Sequence, residues 1–219
     1  SCPALPRSPF FRSRPSSLAS LVAFLASLAA SLAAMNRRVL LVDLDPQGNA
    51  TMGSGIDKYS VKRSTYDVLV HRAPVSQVAQ HAADSGFDVL PSNSDLTAAE
   101  VELIEVEHKE RRLRAALIEA SAAYDYMLID CPPSLNMLTL NALVAADGVI
   151  ITMQCEYFAL EGLSDLVRTI SQIAESVNSQ LQVEGILRTM YDPRNSLTNE
   201  VSNQLHKHFG DKVYRTVVP

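Results

Sequence analysis

Short apolar runs alternate with longer amphipathic stretches along most of this chain. The short runs are rich in Val, Ile and Leu, as buried strands are, and the longer stretches have the residue spacing of helices. The predicted strands cover residues 38–43, 87–90, 126–130, 148–153, 183–190 and 213–218. The predicted helices cover residues 64–71, 96–122 with a break near His108, 136–145, 160–177 and 197–209.

Strands that alternate with helices of this length predict βαβ units. We therefore expect an α/β fold with a doubly wound, mostly parallel sheet and helices on both faces. A length of 219 residues is typical of one domain with a large core. That domain is predicted over residues 18–219, after a disordered or foreign leader at residues 1–17 that is rich in Ser, Pro and Arg.

Residues 18–35 form an uncharged run of mostly Ala, Leu and Ser that has three interpretations. The run resembles the apolar core of a secretory signal, because arginines precede it. It also has the length of a short membrane span. We favour a third interpretation, a helix packed on a parallel sheet, because Arg37 and Arg38 lead directly into a fully apolar strand.

Composition narrows the functional classes. The net charge of −5 conceals an asymmetry, because residues 1–40 hold five arginines and no acid, whereas the remainder carries 14 basic and 24 acidic residues. An acidic body argues against a broad electrostatic footprint for DNA, although a local basic patch stays possible. The cysteines Cys2, Cys131 and Cys155 fit no metal-binding spacing, which favours reduced thiols in a cytoplasmic protein.

Two predicted strands end in acidic, proline-containing loops. Asp43 closes one of them and is followed by Asp45, and Asp130 closes another. Carboxylates at the carboxyl ends of parallel strands are placed to bind Mg²⁺ or to orient a water for attack on a phosphoryl group. A structural interpretation competes, in which Asp43 caps the next element and Asp45 only begins a turn.

Several segments together resemble the ParA/Soj family of chromosome-partitioning ATPases. They are residues 40–51 (LLVDLDPQGNAT), 128–135 (LIDCPPSL), 154–163 (QCEYFALEGL), 185–194 (GILRTMYDPR) and 213–219 (VYRTVVP). The resemblance is specific and runs from about residue 28 to the end. It implies a P-loop ATPase fold of the deviant Walker type.

The resemblance also implies a role for each matching acid. Asp45 would match the catalytic acid that positions the attacking water, and Asp130 would match the Walker B acid that holds magnesium. Asp43 would lie beside both the metal and the phosphates, and so contribute to the binding of metal and nucleotide.

Further residues are implied to contact the nucleotide and DNA. Thr189, Met190 and Asp192 would lie near the nucleotide base, together with Pro219. Arg194 would match a surface arginine used for sequence-independent DNA binding, which in physical terms is a phosphate contact.

Family membership implies ATP and Mg²⁺ as cofactors and a homodimer as the working state. It further implies non-specific DNA of the nucleoid and a ParB-type centromere-binding protein as partners. The expected location is therefore cytoplasmic and nucleoid-associated, and a membrane partner is not expected.

The sequence departs from this family at its start. The family's first strand leads into a Lys-Gly-Gly-Val-Gly-Lys-Thr loop and then an Ala/Leu-rich helix, whose end residues 28–34 resemble. The loop is therefore expected near residues 15–23, yet no glycine precedes Gly48 and no Gly-Lys pair occurs in the sequence. Converging backbone N–H groups and a lysine are what such a loop supplies to phosphates.

Three expectations arise from this departure. The first strand is missing, so a central position in the sheet is empty or filled by a leader segment. The chain is truncated before the family's last strand and C-terminal helices, and ATP binding is impaired. The competing functional hypothesis is a nucleotide-independent pseudo-ATPase that binds DNA or a protein partner, and a membrane-tethered protein is a weaker third.

Overall fold

The computed structural model describes residues 17–156 and 159–219, with side chains described over residues 24–156 and 160–219. The expected leader therefore lies outside the described residues, apart from Ser17. The strands are β1 (Val39–Asp43), β2 (Gln80–Ala82), β3 (Phe87–Leu90), β4 (Tyr126–Asp130), β5 (Gly148–Gln154), β6 (Gln182–Thr189) and β7 (Val213–Val217). The helices are α1 (Ser17–Ala34), α2 (Asn49–Gly53), α3 (Thr65–Leu69), α4 (Val75–Val78), α5 (Leu96–Glu102), α6 (Arg112–Ala120), α7 (Met137–Ala145), α8 (Ala159–Ser176) and α9 (Ser196–Phe209).

The strands form two hydrogen-bonded groups. One sheet has the order β2-β3-β1-β4 and the other β5-β6-β7. All pairings are parallel except that of β2 with β3, so the predicted α/β fold with a mostly parallel sheet is confirmed.

The two faces of β1 belong to different apolar clusters. Leu40 and Val42 pack with residues of α3, α5, α6 and α7, whereas Val39 and Leu41 pack with Ala29 of α1 and with residues of α2 and β3. Alternate residues of a strand point to opposite faces, so helices cover both sides of this sheet. The doubly wound arrangement is thereby confirmed for the four-stranded part.

The uncharged run at the start of the described chain is helical and lies against the sheet. Ala29 in α1 is fully buried, and Leu25 and Leu32 pack against the same apolar cluster as β1. Ser27 and Ser31 are exposed on the outer side. The favoured interpretation, a helix packed on the sheet, is therefore confirmed. No helix among the described residues is long and apolar enough to cross a membrane.

The sequence pattern did not predict the smallest elements, and it predicted two separate helices as one. Strand β2 and helices α2 and α4 have only three to five residues each, too few for a periodic pattern. The helical stretch predicted over residues 96–122 is divided between α5 and α6. The division includes His108, whose φ of 54° lies in the left-handed region and cannot continue a right-handed helix.

Helix α7 connects the two sheets. It joins β4 to β5, yet within the described residues β4 pairs only with β1, and β5 pairs only with β6. Within the described residues, the hydrogen bonding is therefore interrupted between β4 and β5.

Candidate functional site

Two carboxylates lie side by side where adjacent strands end. Asp43 and Asp130 are the last residues of β1 and β4 and are paired in the parallel register of these strands. The Leu44 N–H donates to the Asp130 carbonyl at 2.9 Å, which extends the ladder by one bond. Both acids are buried.

Asp43 organises the loop after its own strand. Its Oδ1 accepts a hydrogen bond from the Asp45 N–H at 3.1 Å. Its Oδ2 accepts from the Thr51 N–H at 2.8 Å and from Thr51 Oγ1 at 2.6 Å. Each of its oxygens therefore already has a protein partner, and Asp43 fixes the turn between β1 and α2.

Asp45 is held inside this turn. Its Oδ1 accepts from the Gln47 N–H at 2.9 Å, and its carbonyl accepts from the Gly48 N–H at 2.8 Å and Ser92 Oγ at 2.8 Å. The residue is only 6% exposed. The loop is consequently a packed structure, tied to the segment after β3.

Gly48 is required by this close packing. Its φ of 60° is left-handed, and an added Cβ would lie 2.9 Å from the Ser92 carbonyl oxygen. Glycine is the residue that tolerates both the conformation and the approach of a neighbouring backbone.

Burial raises the pKa of two of these acids, Asp43 and Asp130. The pKa of Asp130 is raised to about 7, mainly by burial and further by the charges of Asp43 and Asp45. The pKa of Asp43 is raised to about 6, again mainly by burial, although hydrogen bonds from Thr51 oppose the shift. None of the ion pairs in the described part of the chain includes these acids. A buried cluster of like charge of this kind favours a cation.

The donor set fits a magnesium ion that is only partly held by protein. Within residues 17–156 and 159–219, no three His, Cys, Asp or Glu side chains converge as a complete metal site. Mg²⁺ commonly keeps several waters and takes one or two carboxylates plus phosphate oxygens. Asp130 fits that role best, because Asp43 is already engaged by Thr51 and Asp45.

The residues expected near a nucleotide base meet at the ends of the other sheet. Thr189 is the last residue of β6, and Gln154 of β5 donates through Nε2 to Met190 Sδ at 3.0 Å. The Tyr191 N–H donates to the Val218 carbonyl at 3.0 Å. This hydrogen bond places the segment that ends at Pro219 beside the segment that follows β6. The sequence therefore selected residues that are contiguous in the fold.

Arg194 is an exposed member of the predicted site residues. Its side chain is 87% exposed, and its Nη2 and Nε lie 2.9 and 3.0 Å from the Asp192 carboxylate. The hydrogen bonds that it donates to Asp192 raise the pKa of the guanidinium. A phosphate contact by Arg194 would therefore compete with, or share, this carboxylate partner.

Three residues that hold the loop after β1 had no predicted role: Thr51, Ser92 and Lys58. Thr51 Oγ1 accepts from the Ser92 N–H at 2.9 Å while donating to Asp43, and Lys58 Nζ donates to the Gln47 carbonyl. Ser92 lies two residues after β3, so the strand-end rule that selected the acids would also have selected it. Lys58 had no such signal, because it is brought to the loop by tertiary packing alone.

Comparisons with known proteins agree on the class of this fold. A family model described as an AAA domain matches residues 23–183. The chromosome partitioning protein ParA of Caulobacter vibrioides is 49% identical over 195 residues, which cover 88% of this chain and 73% of that protein. The sporulation initiation inhibitor protein Soj of Bacillus subtilis is 48% identical over 193 residues, covering 88% and 76%.

A solved structure supports the same architecture. Cobyrinic acid a,c-diamide synthase from Mycobacterium smegmatis, with bound ADP and magnesium, superposes with a TM-score of 0.81 at 36% identity. The match covers 90% of this chain and 79% of that one. Proteins of this fold therefore include one that holds a nucleotide with magnesium.

Proposed function

Because this chain belongs to the ParA/Soj family of chromosome-partitioning proteins, we propose that it is a DNA-partitioning protein with weak ATP affinity of its own. Its acidic edge is built for magnesium, and its working state is a homodimer on nucleoid DNA in the cytoplasm. A ParB-type centromere-binding protein is the proposed partner.

The observation that supports this proposal most directly is the pairing of Asp43 with Asp130, with Asp45 in the adjoining turn. Two neighbouring parallel strands deliver carboxylates to one edge, where α/β proteins bind phosphate-linked metals. Asp130 would hold the magnesium, Asp45 would orient water, and Asp43 would keep the loop in place. The groups near Thr189, Met190, Asp192 and Pro219 would line the base.

A feature of the sequence supports a weak affinity for ATP. Magnesium alone does not retain a triphosphate, which needs converging N–H donors and a cation for its oxygens. The sequence holds no Gly-Lys pair, and the described chain begins with a helix, Ser17–Ala34. ATP and Mg²⁺ are thus the cofactors of the proposed function, and the phosphate cradle is the part for which this chain offers no candidate.

Calorimetry tests the nucleotide part of the proposal. We expect no saturable isotherm when Mg-ATP is titrated to millimolar concentration into this chain. The Mycobacterium smegmatis protein, whose solved structures hold ADP or an ATP analog with magnesium, serves as a positive control under the same conditions. A saturable, magnesium-dependent isotherm for this chain would overturn the claim of weak affinity. It would leave the partitioning role intact.

A second candidate, the nucleotide-independent pseudo-ATPase, is favoured by the same absence of a Gly-Lys pair. A DNA-binding measurement with and without Mg-ATP distinguishes the two candidate functions. Retention that increases with Mg-ATP supports a partitioning ATPase. Retention of equal strength in both conditions, lost in Arg194→Ala, supports the nucleotide-independent module.

A further inference from the structure

Two arginines line a cavity at the C-terminal end of helix α7. The cavity has a volume of about 210 Å³ and lies where the start of α6, the end of α7 and the segment after α8 meet. Its lining residues are Arg111, Arg114, Val144, Val177, Asn178 and Ser179. Helix α7 has nine residues and is therefore roughly 13 Å long. Because the loop after Asp130 leads into the other end of α7, the cavity is separate from the acidic edge.

Arg114 is held in place by uncharged partners. Its Nη1 donates to the Val144 carbonyl at 3.0 Å and to Asn178 Oδ1 at 3.1 Å. Arg114 belongs to none of the ion pairs in the described part of the chain. The same residues provide no acceptor for its Nε or Nη2. The guanidinium is therefore oriented by two hydrogen bonds while its charge is not compensated.

Arg111 brings a second positive charge to the same cavity. It precedes Arg114 by three residues, a spacing that puts two side chains on one face of a helix. Its ion-pair partner is the adjacent Glu110, and the Nε–Oε1 distance of 3.5 Å is longer than a normal hydrogen bond. Glu110 is not among the residues that line the cavity. Two like charges at this spacing repel each other, so an anion between them would replace one repulsion by two attractions.

The arginine between these two adds to the positive charge. Arg112 Nε and Nη1 are buried and have no hydrogen-bond partner among the described residues. Burial lowers the pKa of Arg112, and the charge of Arg72 lowers it further, so another guanidinium lies nearby. No ion pair of the described chain includes Arg112 or Arg72. The start of α6 is therefore a concentration of positive charge on a chain whose net charge is negative.

The negative end of α7 does not offset this charge, because its carbonyls already have donors. Asn178 Nδ2 donates to the carbonyls of Leu143 and Ala146, and Arg114 donates to that of Val144. A purely structural interpretation is that Arg114 helps to cap α7. That role uses one nitrogen of Arg114 and none of Arg111, so the cap does not account for the paired arginines.

The size and the lining of the cavity select a small oxyanion. A cavity of about 210 Å³ is larger than a single water requires and accommodates a phosphate group. Its lining includes no aromatic side chain, so no ring is available to stack on a nucleotide base. Guanidinium groups bind phosphate through paired N–H donors. A tetrahedral oxyanion has enough oxygens to accept from both arginines and from the Ser179 hydroxyl, whereas a carboxylate has only two.

We propose that the cavity lined by Arg111 and Arg114 is an oxyanion site that binds a phosphate group, supplied as inorganic phosphate or as the monoester of a small molecule. Arg114 binds the group through Nε and Nη2, and Arg111 contacts it from the solvent side. The Ser179 hydroxyl donates to a further oxygen. This inference does not depend on the proposed function, because the cavity is separate from the acidic edge.

NMR of the arginine side chains tests the inference directly. The Nε–H resonances of Arg111 and Arg114 are followed while sodium phosphate is added to the full chain, with sodium chloride used to keep the ionic strength constant. We expect both resonances to shift along one saturable curve, and the resonance of Arg168 on α8 to stay unchanged. Glycerol 3-phosphate is the second ligand. Binding as tight as that of inorganic phosphate, or tighter, identifies a monoester as the source, and weaker binding identifies the free ion.

Two arginine variants provide the matched comparison. Arg111→Gln removes the charge of an exposed side chain and keeps its hydrogen-bonding capacity. The Kd for phosphate should rise at least ~5-fold, because a charge-assisted contact is lost. Arg168→Gln changes an arginine that is also exposed and paired with a nearby acid, and it should leave the Kd unchanged. If Arg111→Gln does not fold, the titration of the unaltered chain still decides the question.

Three results would overturn the proposal. The absence of a saturable shift at Arg111 and Arg114 would leave Arg114 only its role as a cap of α7. An equal Kd in Arg111→Gln and Arg168→Gln would show that phosphate binds elsewhere. An equal response to sodium acetate would show that the arginines do not select a phosphate group.

Discussion

Asp43 and Asp130 face one another in the register of two neighbouring parallel strands, and each is the final residue of its strand. Burial is the main cause that raises the pKa of both acids, to about 6 for Asp43 and about 7 for Asp130. The neighbouring charge of Asp43 adds to the shift of Asp130.

Metal-free protein should lose stability as the pH rises from about 4 to about 7. A raised folded-state pKa means that the folded state binds more protons than the unfolded state in that interval, so the free energy of unfolding falls with pH. Asp130→Asn should flatten this dependence and raise the Tm at pH 8. Added Mg²⁺ should raise the Tm of the unaltered protein at pH 8 more than that of the variant.

An acid of opposite behaviour is the control for that measurement. The pKa of Asp125 is lowered to about 2, first by side-chain and backbone hydrogen bonds from Arg38. The contribution of Asp125 to the free energy of unfolding is present above about pH 4 and is lost as the pH falls toward 2. Asp125→Asn should therefore leave the slope between pH 4 and 7 unchanged. An equal change of slope in both variants would contradict the assignment to Asp130.

The position of Asp43 and Asp130 at one edge of the sheet could be predicted from the sequence, because the ends of strands are recognisable in short segments. Apolar runs that stop at an acid identify Asp43 and Asp130, and parallel topology then brings them together. The sequence did not predict how the turn is held, because the bonds of Thr51 and Ser92 join segments about 40 residues apart. No local pattern records such a contact.

Thr51→Val tests whether that turn depends on the threonine hydroxyl. Valine keeps the shape of the side chain but removes the donor to Asp43 Oδ2 and the acceptor of the Ser92 N–H. Because both partners are buried, the free energy of unfolding should fall by about 1–3 kcal/mol, as measured by urea unfolding. Thr169→Val removes an exposed hydroxyl that bonds only to its own helix and should change stability by less than about 0.5 kcal/mol. Equal effects would show that the loss does not arise at Asp43.

Arg194 and Arg168 form a matched pair for testing DNA binding. Each is exposed and ion-paired to a nearby aspartate, at 2.9 Å in both cases. Arg194→Ala should weaken binding to mixed-sequence duplex DNA and lower the slope of log affinity against log salt by about 1, as expected for one phosphate contact. Arg168→Ala should leave both quantities unchanged. A uniform loss in both variants would mean that DNA responds only to net charge.

Asn178 should be the most sensitive polar position outside the acidic edge. Its Nδ2 donates to the carbonyls of Leu143 and Ala146 at 2.9 and 2.7 Å, and its Oδ1 accepts from Arg114 at 3.1 Å. These carbonyls belong to the end of α7, the helix that connects the two sheets, so a residue just after α8 caps α7. Asn178→Ala leaves both carbonyls without this donor and should lower the free energy of unfolding by about 2–3 kcal/mol. Asn203→Ala, at an exposed position of α9, should be neutral or slightly stabilising because alanine is the better helix former. If urea unfolding shows equal losses for the two variants, the cap does not stabilise the connection between the sheets.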